Sequence, residues 1–145
     1  MKSTEAWLSQ GDTASEDLRA LEAGLVVPAK FSHPEHVRLG YEMLRRYSFA
    51  EAVSRFSGGL KLVVRNAGKP EVYNETITIA FLAVINERSV ALGATDWNEF
   101  AAANPPDLLE KACLERWYDP EQLCSDLART TFCLPQPRAA VSVAD

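Results

Sequence analysis

Apolar residues along this chain recur at intervals of three and four far more often than they alternate, and that spacing predicts helices almost throughout. Leu18, Leu21 and Leu25 mark the first, over residues 15–23, with Glu16 and Asp17 in its opening turn, where acidic side chains suit the positive end of the helix dipole, and Gly24 as its stop. Val26-Val27-Pro28 reads as an extended connector. Ser32 followed by Glu35 forms a capping box, with Pro34 tolerated in a first turn that needs no amide donor. The helix it opens carries a stripe of Val37, Tyr41, Leu44 and Tyr47. Ser48 and Glu51 repeat the box at once and open a helix facing inward through Ala52, Val53, Phe56, Leu60, Val63 and Val64. Gly58-Gly59 interrupts that stripe at a cost of about 1 kcal/mol per glycine, so the pair either kinks the helix or admits another backbone.

After the stop Asn66-Ala67-Gly68-Lys69-Pro70, the segment from Ile77 to Leu92 is apolar almost all round. Its β-branched content resembles a buried strand, but it runs unbroken to Gly93, too long for one, and it is expected to be the central helix. Asp96 and Glu99 cap a short helix through Phe100 and Ala103; Asn104-Pro105-Pro106 breaks it and Asp107 restarts it toward Cys113. Asp119-Pro120 opens a last helix through Leu123 and Leu127 to Thr130. The expected fold is therefore all-α, a single-domain irregular bundle of about six helices over residues 15–134, with a polar segment over 1–14 and a disordered tail over 135–145.

Composition narrows the partners. A net charge of -5 and a pI near 5.1, with no Lys/Arg cluster in sequence, argue against a nucleic-acid or anionic-membrane surface. Residues 1–13 hold no apolar signal region, and the apolar run Ile77 to Ile85 is too short to span a bilayer, so a cytoplasmic protein is expected. Cys113, Cys124 and Cys133 lack metal or disulfide spacing and read as reduced thiols.

The chemistry concentrates in one place. The only two histidines, His33 and His36, stand three apart in a capped first turn and so face one way. If the helix through Gly58-Gly59 is continuous, three helices run up, down and up, and the histidines meet Tyr73, Asn74, Glu75 and Thr78 at the start of the central helix. Three uses follow. An imidazole paired with Glu75 is an acid/base set; His33, His36 and Glu75 are the donor types of an iron or zinc site with open positions; and paired helix N-termini with a histidine can hold an anion. Tyr41, Tyr73, Asn74, Thr78 and Arg116 would position the substrate. No cofactor is required by the sequence, although a divalent metal is compatible with it. Set against these is a purely structural role, in which the histidines are cap-proximal side chains and Glu75 only satisfies the helix dipole.

The segments His33-Pro34-Glu35-His36-Val37-Arg38, Tyr73-Asn74-Glu75-Thr76-Ile77-Thr78, Phe100 to Pro105 with Leu108-Leu109, and Arg116-Trp117-Tyr118 together resemble an uncharacterised family of short all-helical bacterial proteins. The resemblance covers residues 24–135 and implies the fold and the importance of these segments rather than a reaction. It also implies that a histidine often stands where this chain has Asn74, a departure that weighs against a metal. The expectation is a small intracellular enzyme or ligand-binding protein that acts on a small polar or anionic molecule by His/Glu acid-base chemistry, of the lyase, isomerase or cyclase type, within biosynthesis. The alternatives are a metal-dependent site on the same residues and a non-catalytic interaction module forming a homodimer.

Overall fold

A computed structural model describes residues 14–103 and 106–137. Among these the chain forms seven α-helices and no strand. They are α1 (14–22), α2 (His33–Arg46), α3 (Phe49–Asn66), α4 (Glu75–Leu92), α5 (Trp97–Ala103), α6 (Pro120–Leu123) and α7 (Asp126–Thr130), joined by four short 3-10 segments. The expected all-α bundle is what forms.

Its centre is α4. Leu82 joins Leu21, Leu39, Met43, Phe56 and Leu60 in one apolar cluster, Ile85 joins Val37, Tyr41, Phe100 and Leu108 in a second, and Ala80 joins Leu114, Tyr118 and Leu123 in a third. A helix apolar on every face is needed to serve three partners at once. Beyond them its last turn emerges, with Val90 and Leu92 exposed. No single described helix is long and apolar enough to cross a membrane; α4 and α5 together are, but the chain bends 93° between them.

The caps set the geometry. Ser32 Oγ accepts from the Glu35 amide and Ser48 Oγ from the Glu51 amide, so α2 and α3 start where the boxes place them, with only Tyr47 and Ser48 between. The glutamates do not close their boxes backward. Glu35 instead binds Arg38, which reaches on to Asp17 of α1 at 2.7 Å, and Glu51 binds Arg55, which reaches Glu22 of α1. Both acidic caps thus become the base of an arginine bridge to the first helix. α3 runs unbroken through Gly58-Gly59, which preserves the up-down-up course. A Cβ on Gly59 would lie 2.5 Å from the Leu21 carbonyl oxygen, so this glycine admits the backbone of α1; one on Gly58 would meet nothing.

Several expectations need correction. Leu25 is not part of the apolar stripe of α1: the chain turns at Gly24 (φ +74°) and leaves Leu25 72% exposed. Residues 107–113 do not resume an α-helix. They form 3-10 segments Pro106–Leu109 and Lys111–Arg116, because the Asp107 side chain is drawn between Arg88 of α4 (3.5 Å) and Arg116 (2.9 Å) and short-range bonds such as Cys113 amide to Glu110 carbonyl close the turns. The last helix is two. Ser125 donates its hydroxyl to the Gln122 carbonyl and accepts from the Ala128 amide, ending α6 and capping α7 with one side chain, and Leu127 is left exposed. Of the segment expected to be a disordered tail, residues 135–137 are described, with the Gln136 amide donating to Gln122 Oε1; the rest, like residues 1–13, lies outside the described residues.

The Asp107 latch carries a pH signature. Burial opposes its charge, but the Arg88 hydrogen bonds and the charges of Arg88 and Arg116 win, so its carboxyl is held below the usual range. A depressed acid stabilises the fold above the unfolded pKa of about 4 and loses that contribution as pH falls through the folded value. Asp107→Asn should therefore lower stability to urea at pH 7, with the gap to the parent narrowing as pH falls below the ordinary carboxylate range. An equal gap throughout would show that the charge is not what holds the latch.

Candidate ligand cavity

Between α2, α3 and α4 lies a cavity of about 460 Å³. Its walls are mainly apolar, including Phe31, Phe56, Leu60, Phe81, Leu82 and Ile85, and its polar groups are few: Ser32, His33, His36, Tyr73, Asn74 and Thr78. This size and mixture are those of a small-molecule site. Both histidines of the chain line it.

His33 is oriented from two sides. Its ring stands edge-on to Phe81 at 4.8 Å, and its Nε2 lies 3.3 Å from the Leu108 carbonyl. A carbonyl can only accept, so this bond puts the hydrogen on Nε2 and leaves Nδ1 with the lone pair in the neutral ring. His36 lies against Phe31, ring centroids 3.9 Å apart, and 6.4 Å from the His33 ring.

Glu75 does not join them. It lies outside the cavity lining, in a second hollow with Lys61, Arg65 and Arg129. The two are linked by Tyr73, which lines both and donates its hydroxyl to Glu75 Oε1 at 2.6 Å. Burial first, and then the bond and charge of Glu75, push the Tyr73 phenol well above its ordinary value. Because its hydrogen is given to Glu75, the Tyr73 oxygen can meet any further group only as an acceptor, and Thr78 and Ser57 stand close enough to act on it. Glu75 is thus coupled to the cavity through a phenol rather than paired with an imidazole.

The metal arrangement is not assembled: among the described residues no group of three or more His, Cys, Asp or Glu side chains could hold an ion. Asn74 is occupied structurally, its Oδ1 accepting from the Ile77 amide to cap α4 and its Nδ2 donating to the Leu123 carbonyl at 2.8 Å. Thr78 bonds back to the Asn74 carbonyl from the cavity wall. Tyr41 and Arg116 are not in the lining. Tyr41 is 1% exposed and stacked on Phe100 at 4.6 Å, a core residue, and Arg116 is 56% exposed at the Asp107 latch.

Sequence reasoning passed over Phe31, Phe81 and Val64 as walls, and the basic rim of the second hollow. Lys61 and Arg65, four apart on α3, were the legible half of that rim; Arg129, from the far end of the chain, carried no such signal. Compared with protein-family models, curated proteins and solved structures, the chain matches none.

Proposed function

We propose that this protein binds a small molecule in the α2–α3–α4 cavity, its apolar body against Phe81, Leu82 and Ile85 and within reach of the histidines, and that it moves a proton on that ligand. The observation that supports this is the concentration of both histidines on the polar rim of an otherwise apolar cavity. His33, its ring oriented by the Leu108 carbonyl, is the candidate base. Tyr73, backed by Glu75, supplies a second acceptor. Proton abstraction and return is the chemistry of an isomerase, lyase or cyclase, and it needs no more groups than these. His33, His36 and Glu75 keep their acid-base roles in this reading, with Glu75 acting through Tyr73.

The neutral apolar dye N-phenylnaphthylamine tests the binding half. It should brighten and saturate with the parent protein, and Leu60→Trp, which puts an indole into the cavity at an overpacking cost of about 1–3 kcal/mol, should abolish saturation while circular dichroism still reports a helical fold. Absence of dye binding by the parent, together with a dimer in solution, would favour an interaction module instead. The exposed Leu127, Phe132 and Leu134 are the surface such a module would use.

A further inference from the structure

The second hollow has a composition that folding does not account for. It encloses about 340 Å³ and is lined by Lys61, Arg65 and Arg129 around the single carboxylate Glu75. Lys61 and Arg65 are like charges one turn apart on α3, an arrangement that costs a helix a few tenths of a kcal/mol rather than supporting it. The acids present do not neutralise the group. Glu75 is 3.8 Å from Lys61 and already accepts from Tyr73; Asp126 meets Arg129 at 3.5 Å but is 96% exposed, where water screens the pair; and Arg65 has no acid within ion-pair distance among the described residues. In a chain of net charge -5, this is a local reversal of sign.

The hollow also adjoins the cavity. Val64 and Tyr73 line both, so an apolar chamber with a polar rim stands beside a cationic one with a shared wall. Resting on the cavity reading above, we propose that the natural ligand is an amphiphilic anion, an alkyl carboxylate or alkyl phosphate whose chain occupies the cavity and whose head is held by Lys61, Arg65 and Arg129. Arginine forks match both oxyanions, and the lysine adds a point charge. A neutral ligand would leave the excess positive charge of the hollow, three cations against Glu75, without a counter-charge. A nucleic acid or acidic protein would need a basic surface wider than this hollow.

Isothermal titration of the full chain with monomeric decanoate, decyl phosphate, decanol and inorganic phosphate tests the proposal. At least one of the two amphiphilic anions should bind on the order of ten-fold tighter than decanol, and the stronger of them identifies the head group. The double variant Arg65→Ala/Arg129→Ala should erase that advantage and leave decanol affinity where it was, and added salt should weaken the anion alone. Equal affinity for decanol and both anions would overturn the proposal while leaving the cavity reading intact. Inorganic phosphate binding as tightly as decyl phosphate would also overturn it, by showing two separate sites. If no alkyl compound binds, the cavity reading fails and this proposal with it.

Discussion

Replacing Thr76 by valine is expected to destabilise the protein by about 1–3 kcal/mol, although the two side chains have nearly the same shape. Thr76 lies one residue inside α4 and is fully buried. Its hydroxyl donates to the Thr131 carbonyl at 2.9 Å and accepts from the Cys133 amide at 3.0 Å, so one oxygen satisfies both backbone groups of the segment that follows α7. Valine fills the space but removes both bonds; Thr131 is exposed and Cys133 half-buried, so water recovers part of the loss and about 1–3 kcal/mol remains. The loss should be local before it is global: hydrogen exchange at the Cys133 amide should accelerate more than exchange in the middle of α4. Urea denaturation and exchange together check this. A loss below about 1 kcal/mol would mean that water replaces the hydroxyl and the segment is not tethered there.

Gly59→Ala and Gly58→Ala make the same chemical change at adjacent positions and should move stability in opposite directions. At Gly59 the new methyl meets the Leu21 carbonyl oxygen at 2.5 Å and its carbon at 2.9 Å, backbone atoms that cannot rotate aside, so α1 must be displaced; overpacking of this kind costs about 1–3 kcal/mol. At Gly58 the methyl enters open space and the helix gains up to about 1 kcal/mol of propensity. Denaturation midpoints of the two variants against the parent decide it. Equal effects would show that α1 does not press on α3 as closely as the structure places it.

The helical fold was legible because its signals are local. Ser32, Ser48 and Asp96 each announce a helix start, and the run from Ile77 to Leu92 is too apolar for anything but a centre; every one of these positions folds as its neighbours dictate. What was illegible depended on partners distant in the chain. Asp107 reads as a helix cap until Arg88 and Arg116 claim its carboxylate. Tyr41 reads as a substrate-positioning residue until Phe100 covers it. Glu75 reads as a partner for histidine because the order of helices places them at one end of the bundle, but connectivity fixes which ends meet and not which way a side chain on the first turn points. The hydroxyl of Tyr73, two residues away, takes that carboxylate to the other side of the wall.

That wall has a thermodynamic consequence. Tyr73 is a face of both hollows, bonded to Glu75 and overlain by Lys61 at 5.2 Å from its ring. An occupant that shifts the ring on one side changes the shape and the charge balance offered on the other. Linkage then requires the effect to be mutual: whatever filling the first chamber does to affinity in the second, in either direction, filling the second does to the first by the same free energy. Two hollows that share Val64 and Tyr73 as a wall are coupled through it.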